Sequence, residues 1–353
     1  MDNQKALKVL NPKSVLIPIV VAIGLVVFLL LQDDELANDT LAAFSSITPI
    51  ILIWALVVLG AKDLLNTFRF KFISSSEFGV SSALRVILLW EFAIAVTPPV
   101  LGATGVLVFI MFKEGASFAK ALAFTLLLAT FDNLFFITAT PLSVLLHGDS
   151  FLPEVALFAE SLDQSVSQLF WLSYGLIVYY TVFMLCAILI IPQLVRRLVQ
   201  WVMNLKWLRK WESKVMAQMD DLIMVSKILR GKRPAFWLGL TALSYGVWIL
   251  KYSLVNVLVV GTDVQGDVDH LLLLSRHLAM WVFMLVSPAP GNAGVAEFVF
   301  PTFFEEFLGN KTFAIGLLWR AFSYYPYLIL GAFLLPKWLG KKKDHQTDSL
   351  PLE

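Results

Sequence analysis

The sequence predicts an all-α polytopic membrane protein: six crossings plus two re-entrant helical hairpins in an inverted-repeat arrangement. Three observations lead there: an apolar composition, two apolar blocks broken by Pro and Gly, and a sharp separation of charge along the chain. Of 353 residues, 58% are hydrophobic and only 15% charged, where a soluble domain carries about 25% charged residues. The apolar residues come in blocks long enough for the roughly 20 helical residues that a bilayer core requires.

Full spans are predicted at 15–31, 48–66, 118–146, 169–193, 234–260 and 312–336. The first has Lys5, Lys8 and Lys13 ahead of it, like a secretion signal, but no small-residue cleavage site before Asp33-Asp34-Glu35, so it reads as an uncleaved span. Residues 82–112 and 271–308 differ. Each is broken near its middle, by TPPVLGATG and by SPAPGNAG, and is too long for one straight span and too short for two.

Charge decides how those two segments run. Segments 32–48, 147–168 and 261–270 carry Asp and Glu without any Lys or Arg. The N-terminus, the connector 196–233 and the end of the chain (Lys337, Lys341, Lys342, Lys343) are basic. The positive-inside rule puts the basic segments in the cytoplasm. That is consistent only if 82–112 and 271–308 enter and leave on one side, so both termini are expected to be cytoplasmic in an inner membrane. Residues 1–337 then form one integral domain and 338–353 a short polar tail, expected to be disordered. In the connector, Leu198, Trp201, Val202, Leu205 and Leu208 recur at helical spacing among basic residues. That suits either a helix on anionic headgroups or a solvated helical loop.

The broken segments also resemble each other. Arg85, Trp90, Phe92, Pro98 and Gly105 align with Arg276, Trp281, Phe283, Pro288 and Gly294. Each copy lies between two full spans, giving halves of about 48–146 and 234–336 that enter from opposite sides. Secondary transporters use this plan, with the substrate site between broken helices at the midplane.

Candidate site residues follow from two costs. Non-helical backbone at membrane depth must be buried in protein or line a wet cavity, which selects the tips: Pro98 and Gly102, and Pro288, Pro290, Gly291, Asn292 and Gly294. The alternative is a structural kink. Ionisable side chains inside apolar segments are also expensive, which selects Asp132, Glu297, Arg320 and Arg276, with Arg85, Glu91 and Lys251 as further candidates. Symmetry suggests that Asp132 and Arg320 meet as opposite charges, in a site or in a structural pair. Arg85 and Lys251 are expected to snorkel to an interface, and Trp171, Tyr174, Trp237 and Trp338 to form an interfacial belt.

Other chemistry finds no support. No Walker loop, HExxH or nucleotide fingerprint occurs. The lone Cys186 and the four histidines, His147, His270, His277 and His345, have no ligand spacing. No enzymatic activity, cofactor, metal or nucleic-acid partner is expected.

The run PAPGNAGVAE, with Pro290, Gly291, Gly294 and Glu297, is followed by LLWRAFSYYPYLILG, with Arg320, Pro326 and Gly331. Together with Pro98, Gly102 and Asp132, these resemble the lysylphosphatidylglycerol synthase transmembrane-region family, over roughly residues 10–337. The resemblance implies a flippase-like membrane domain whose best-understood relatives flip aminoacylated phosphatidylglycerol. Those relatives carry an appended aminoacyl-transferase domain, which is not expected here. The family's usual PGG is PGN here, with Asn292 third, so the substrate is not carried over. The leading expectation is a lipid flippase or transporter whose partners are membrane lipids, an anionic phospholipid or a lipid-linked sugar; self-association is left open. An ion-coupled small-solute transporter and a partner in envelope glycolipid assembly are the alternatives.

Overall fold

A computed structural model describes residues 12–74, 77–97, 103–153, 160–186, 191–205, 209–262, 268–285, 287 and 289–340. Among these, all regular structure is helical. Helix α1 (Pro12–Gln32) covers the first expected span. The acidic stretch behind it, expected as a loop, folds as α2 (Asp34–Ser46). Asp33 caps it, its Oδ1 accepting from the Leu36 amide at 2.9 Å, and Asp34 and Glu35 complement the helix dipole in the first turn.

Helix α3 (Pro49–Ile73) opens on a proline, where its missing N–H costs nothing, and runs seven residues beyond the predicted end. The first broken segment forms α4 (Val80–Val96) and α5 (Ala103–Lys113). Helix α6 (Phe118–His147) follows. Its internal Pro141 cannot donate to the Ile137 carbonyl, and the Tyr174 hydroxyl donates there instead, at 3.0 Å. Tyr174 comes from α7 (Glu160–Leu185); Pro192, inside the predicted span 169–193, opens a further helix, α8 (Pro192–Met203). The basic connector is thus α8 and α9 (Glu212–Arg230).

Helix α10 (Pro234–Val260) lies antiparallel along the whole of α3. Gly239 faces Phe72, Gly246 faces Leu65 and Gly261 faces Ile51, so close that a methyl at Gly261 would lie 2.3 Å from Ile51. The second broken segment forms α11 (His270–Met284) and α12 (Val295–Leu308). Asp269 caps α11 by accepting from the Leu271 and Leu272 amides at 2.9 and 3.0 Å. These backbone bonds, chiefly that of Leu272, hold its carboxyl below the usual carboxylate range.

The predicted span 312–336 is corrected. It is two helices, α13 (Thr312–Ser323) and α14 (Tyr325–Gly340), broken at Tyr324 with φ −127° and ψ −59°. Pro326, second in α14, has no N–H for the Phe322 carbonyl and its ring collides with that turn. Among the described residues, four helices are long and apolar enough to cross a membrane by length and composition: α3, α6 with its short extension to Phe151, 167–185 of α7, and α10.

Each hairpin closes at its base on an ion pair. Arg85 Nη1 donates to Glu114 Oε1 and Arg276 Nη2 to Glu306 Oε2, both at 2.9 Å. Around the first hairpin a core gathers Phe92, Leu107, Leu127 and Leu328; around the second, another gathers Phe136, Tyr252, Leu278, Phe300 and Phe304. Trp338 is buried rather than interfacial: its Nε1 donates to Glu114 at 2.7 Å, so α14 is tied to the base of the first hairpin. Trp237 also packs inward, stacked on Phe131 at 5.9 Å, whereas Trp171 is exposed. The expected tail disorder concerns residues beyond 340, which lie outside the described residues.

Candidate functional site

The tip of the second hairpin leaves helical geometry to turn back. Gly291 (φ 57°), Asn292 (φ 56°) and Gly294 (φ 81°) all have positive φ, which glycine tolerates and asparagine tolerates better than other side chains. Glu297 stabilises this turn from the first turn of α12, its Oε2 accepting from the Gly294 amide at 2.8 Å. The other carboxylate oxygen accepts from Arg320 Nε at 2.9 Å. Arg320 reaches back to the turn, Nη2 donating to the Gly291 carbonyl at 3.2 Å, and its guanidinium lies 3.9 Å above the Tyr324 ring. Both charges are buried, with 6% and 2% of their side chains exposed. Arg320 stands in the last turn of α13, immediately before the break at Tyr324.

This turn meets the first hairpin backbone to backbone. The Gly291 amide donates to the Thr97 carbonyl at 3.1 Å. The Tyr324 hydroxyl donates to the Ala95 carbonyl at 3.2 Å. Both carbonyls belong to the C-terminal end of α4, which carries four acceptors without helical donors. The approach leaves no room for a side chain, since a methyl at Gly291 would sit 2.2 Å from the Ala95 oxygen. Asn292 Oδ1 is buried there without a hydrogen-bond donor among the described residues.

A second polar cluster lies between α3 and α10. Lys62 Nζ donates to Glu91 Oε1 and to the Tyr327 hydroxyl, both at 2.7 Å, and stands 2.8 Å from Asp63. Two turns on, Arg69 binds Asn66 Oδ1 through Nε and Nη2, at 3.1 and 2.8 Å, and Ser244 through Nη1 at 3.2 Å. Arg69 also pairs with Asp132, whose Oδ1 accepts from Trp248 Nε1 at 2.9 Å as well. Lys251 is set among these charges, within reach of Glu91, Lys62, Asp132 and Asp63. Its ammonium lies 4.6 Å over the Trp248 ring, and it has no hydrogen bond or ion pair of its own among the described residues.

Of the sequence candidates, Arg320, Glu297, Gly291, Asn292 and Gly294 converge, with Pro290 starting the turn. Pro98, Gly102 and Pro288 lie outside the described residues. Asp132 and Arg320 do not meet: Asp132 takes Arg69 and Arg320 takes Glu297. Arg276 and Arg85 belong to the hairpin bases, and Lys251 is turned inward rather than snorkelling. The sequence reading missed Lys62, Asp63, Arg69, Tyr324 and Tyr327. A signal existed for three positions, since Lys62, Asn66 and Arg69 recur at i, i+4 and i+7, one helical face. No group of His, Cys, Asp and Glu among the described residues is arranged to hold a metal ion.

The family model for the lysylphosphatidylglycerol synthase TM region matches residues 15–331. The chain belongs to that family. The match spans both hairpins, the turn at Gly291, and the Arg320–Glu297 pair. No curated protein and no solved structure matches the chain. The family places the chain among membrane domains related to lipid handling.

Proposed function

We propose that the chain is a lipid flippase or lipid transporter without enzymatic activity of its own, carrying a phospholipid or lipid-linked headgroup across the inner membrane. One observation carries this reading: the turn of the second hairpin meets the C-terminal end of α4 in the first through a backbone hydrogen bond, beside a buried Arg–Glu pair. Irregular backbone is affordable at bilayer depth only beside protein or a wet cavity. The tips therefore form a seam that closes over a polar site when joined and opens it when parted. A headgroup would meet Arg320 and the Asn292 amide oxygen there, and then the Lys62 and Arg69 cluster.

An inverted repeat supports alternating access of this kind. The supporting geometry is threefold. The paired spans α3 and α10 run antiparallel against each other. The aligned arginines, Arg85 and Arg276, each close a hairpin on a Glu about thirty residues later. Each hairpin also has its own core. The full topology proposed is six crossings, the last discontinuous at Tyr324, with two re-entrant hairpins and both termini cytoplasmic.

The test is purified protein in vesicles with fluorescent lipid, scored by dithionite quenching of the inner-leaflet fraction. Movement above protein-free vesicles is expected. Vesicles that move no lipid but accumulate a small solute would replace this reading with the small-solute transporter. Topology is checked in a Cys186→Ser background: Glu35→Cys labels on intact cells, while Lys227→Cys labels only after lysis.

A further inference from the structure

The junction of α8 and α9 holds a second feature, away from the hairpin tips. A groove of about 300 Å³ is lined by Ile191, Pro192, Gln193, Leu194, Arg197 and Arg230. Its two cations have no carboxylate or other partner among the described residues. The neighbouring Arg196 does: it pairs with Asp220 at 2.6 Å. The groove thus carries two positive charges that no described residue compensates, beside one that Asp220 neutralises. The rim is apolar and open, with Ile191 and Leu194 41% and 46% exposed. From Leu194 the apolar stripe continues along α8 through Leu198 and Trp201 to Leu205, just past its end, all exposed.

We propose that this groove binds one anionic phospholipid, its phosphate between Arg197 and Arg230 and an acyl chain along Ile191, Leu194 and Leu198. Charge complementarity selects the headgroup. Guanidiniums bind phosphate oxygens through paired, charge-assisted hydrogen bonds. A zwitterionic lipid brings its own cation and competes poorly. The stripe selects a lipid over a soluble anion, because a free phosphate leaves those apolar side chains in water. An amphipathic helix with Trp at its apolar edge and Arg beside it is the usual reader of an anionic membrane surface. The site does not depend on the transport reading, and a protein that moves no lipid would still hold this one.

The full-length protein in mild detergent is titrated with phosphatidylglycerol or phosphatidylcholine and followed by native mass spectrometry. The wild type is expected to retain one phosphatidylglycerol at least tenfold more tightly than phosphatidylcholine. Arg197→Gln with Arg230→Gln should abolish that preference, while Arg196→Gln with Asp220→Asn should leave it within about twofold. Should the first double variant fail to fold, each single Gln substitution is read instead, with a several-fold loss expected. An unchanged preference in the variants overturns the proposal. So does competition by millimolar inorganic phosphate as effective as that of the lipid, which would make the groove a free-anion site.

Discussion

Arg320 and Glu297 grip the same turn from two sides: Arg320 donates to the Gly291 carbonyl, Glu297 accepts from the Gly294 amide, and they bond to each other at 2.9 Å. The pair is therefore part of the tip itself, and removing either partner has two separable consequences.

Arg320→Met leaves the Glu297 carboxylate buried without its cation. Breaking one side of such a pair costs about 3–5 kcal/mol, so the thermal midpoint should fall clearly. Adding Glu297→Gln removes the stranded charge and should recover most of the midpoint. Lipid movement should remain absent in both variants. A double variant that regains transport would reduce the pair to a structural clamp.

Gly291→Ala attacks the contact between the hairpins. The residue has φ 57°, and its new methyl would lie 2.2 Å from the Ala95 oxygen, a backbone atom, and 2.5 Å from the Tyr324 ring. Gly309→Ala is the control, with φ 52° and no atom within 4 Å of its added methyl. The control pays only backbone strain, of order 1–3 kcal/mol. Gly291→Ala adds the clash to that strain, so it should lower the midpoint further and lose transport that the control keeps. Equal activity in the two variants would show that the seam has no part in transport.

The sequence made the helices and hairpins legible because Pro and Gly are local signals: Pro192 and Pro326 act on the turn in which they stand. Pro326 nonetheless went unread as a break, since an apolar run with one proline resembles a kinked span. Ion-pair partners were the least legible. Repeat symmetry suggested Asp132 with Arg320, but Arg69, just past the predicted end of α3, lies nearer to Asp132 and satisfies it. Pairing depends on helix rotation and crossing, which no local pattern encodes. The symmetry of Arg85 and Arg276 was readable, and their partners, Glu114 and Glu306, were not.

The two hairpin bases should respond unequally. Glu306 is 62% exposed and a Gln in its place keeps an acceptor for Arg276, so Glu306→Gln should cost about 1 kcal/mol. Arg276 is buried and also donates through Nε to the Ser150 carbonyl at 2.7 Å. Arg276→Gln strands that carbonyl and should cost about 2–3 kcal/mol more. Thermal midpoints of the two single variants decide this; similar losses would mean that the carboxylate, and not the carbonyl, anchors Arg276.

Asp269 gives α11 a pH-dependent start. Its carboxyl is held below the ordinary range by the Leu272 and Leu271 amides, so its contribution is fully present above the unfolded carboxylate pKa of about 3.9. It is lost as pH falls through the depressed folded value. Asp269→Asn keeps a cap but not the charge. The stability advantage of the wild type over Asp269→Asn should therefore be constant from pH 7 to 5 and shrink toward pH 3. Hydrogen exchange at Leu271 and Leu272 reports it locally, and a pH-independent difference would mean that the charge contributes nothing to the cap.

Lys251 and Lys62 separate a structural role from a functional one within the α3–α10 cluster. Lys62 bonds Glu91 and Tyr327 and pairs with Asp63. Lys62→Met strands two carboxylates, and a loss of about 3–5 kcal/mol is expected whatever the protein does. Lys251 has no ion pair among the described residues, only the Trp248 ring at 4.6 Å. Replacing an ammonium that makes no direct ion pair by an apolar chain of similar length removes a desolvation penalty together with its longer-range attraction to Glu91 and Asp132, so Lys251→Met should stay close to the wild-type midpoint. If the cluster lies on the headgroup's path, the same variant should lose most lipid movement, because the one cation not committed to a carboxylate is the one available to an anionic group. Full transport by Lys251→Met would confine the site to the hairpin tips and leave the cluster as the packing between α3 and α10.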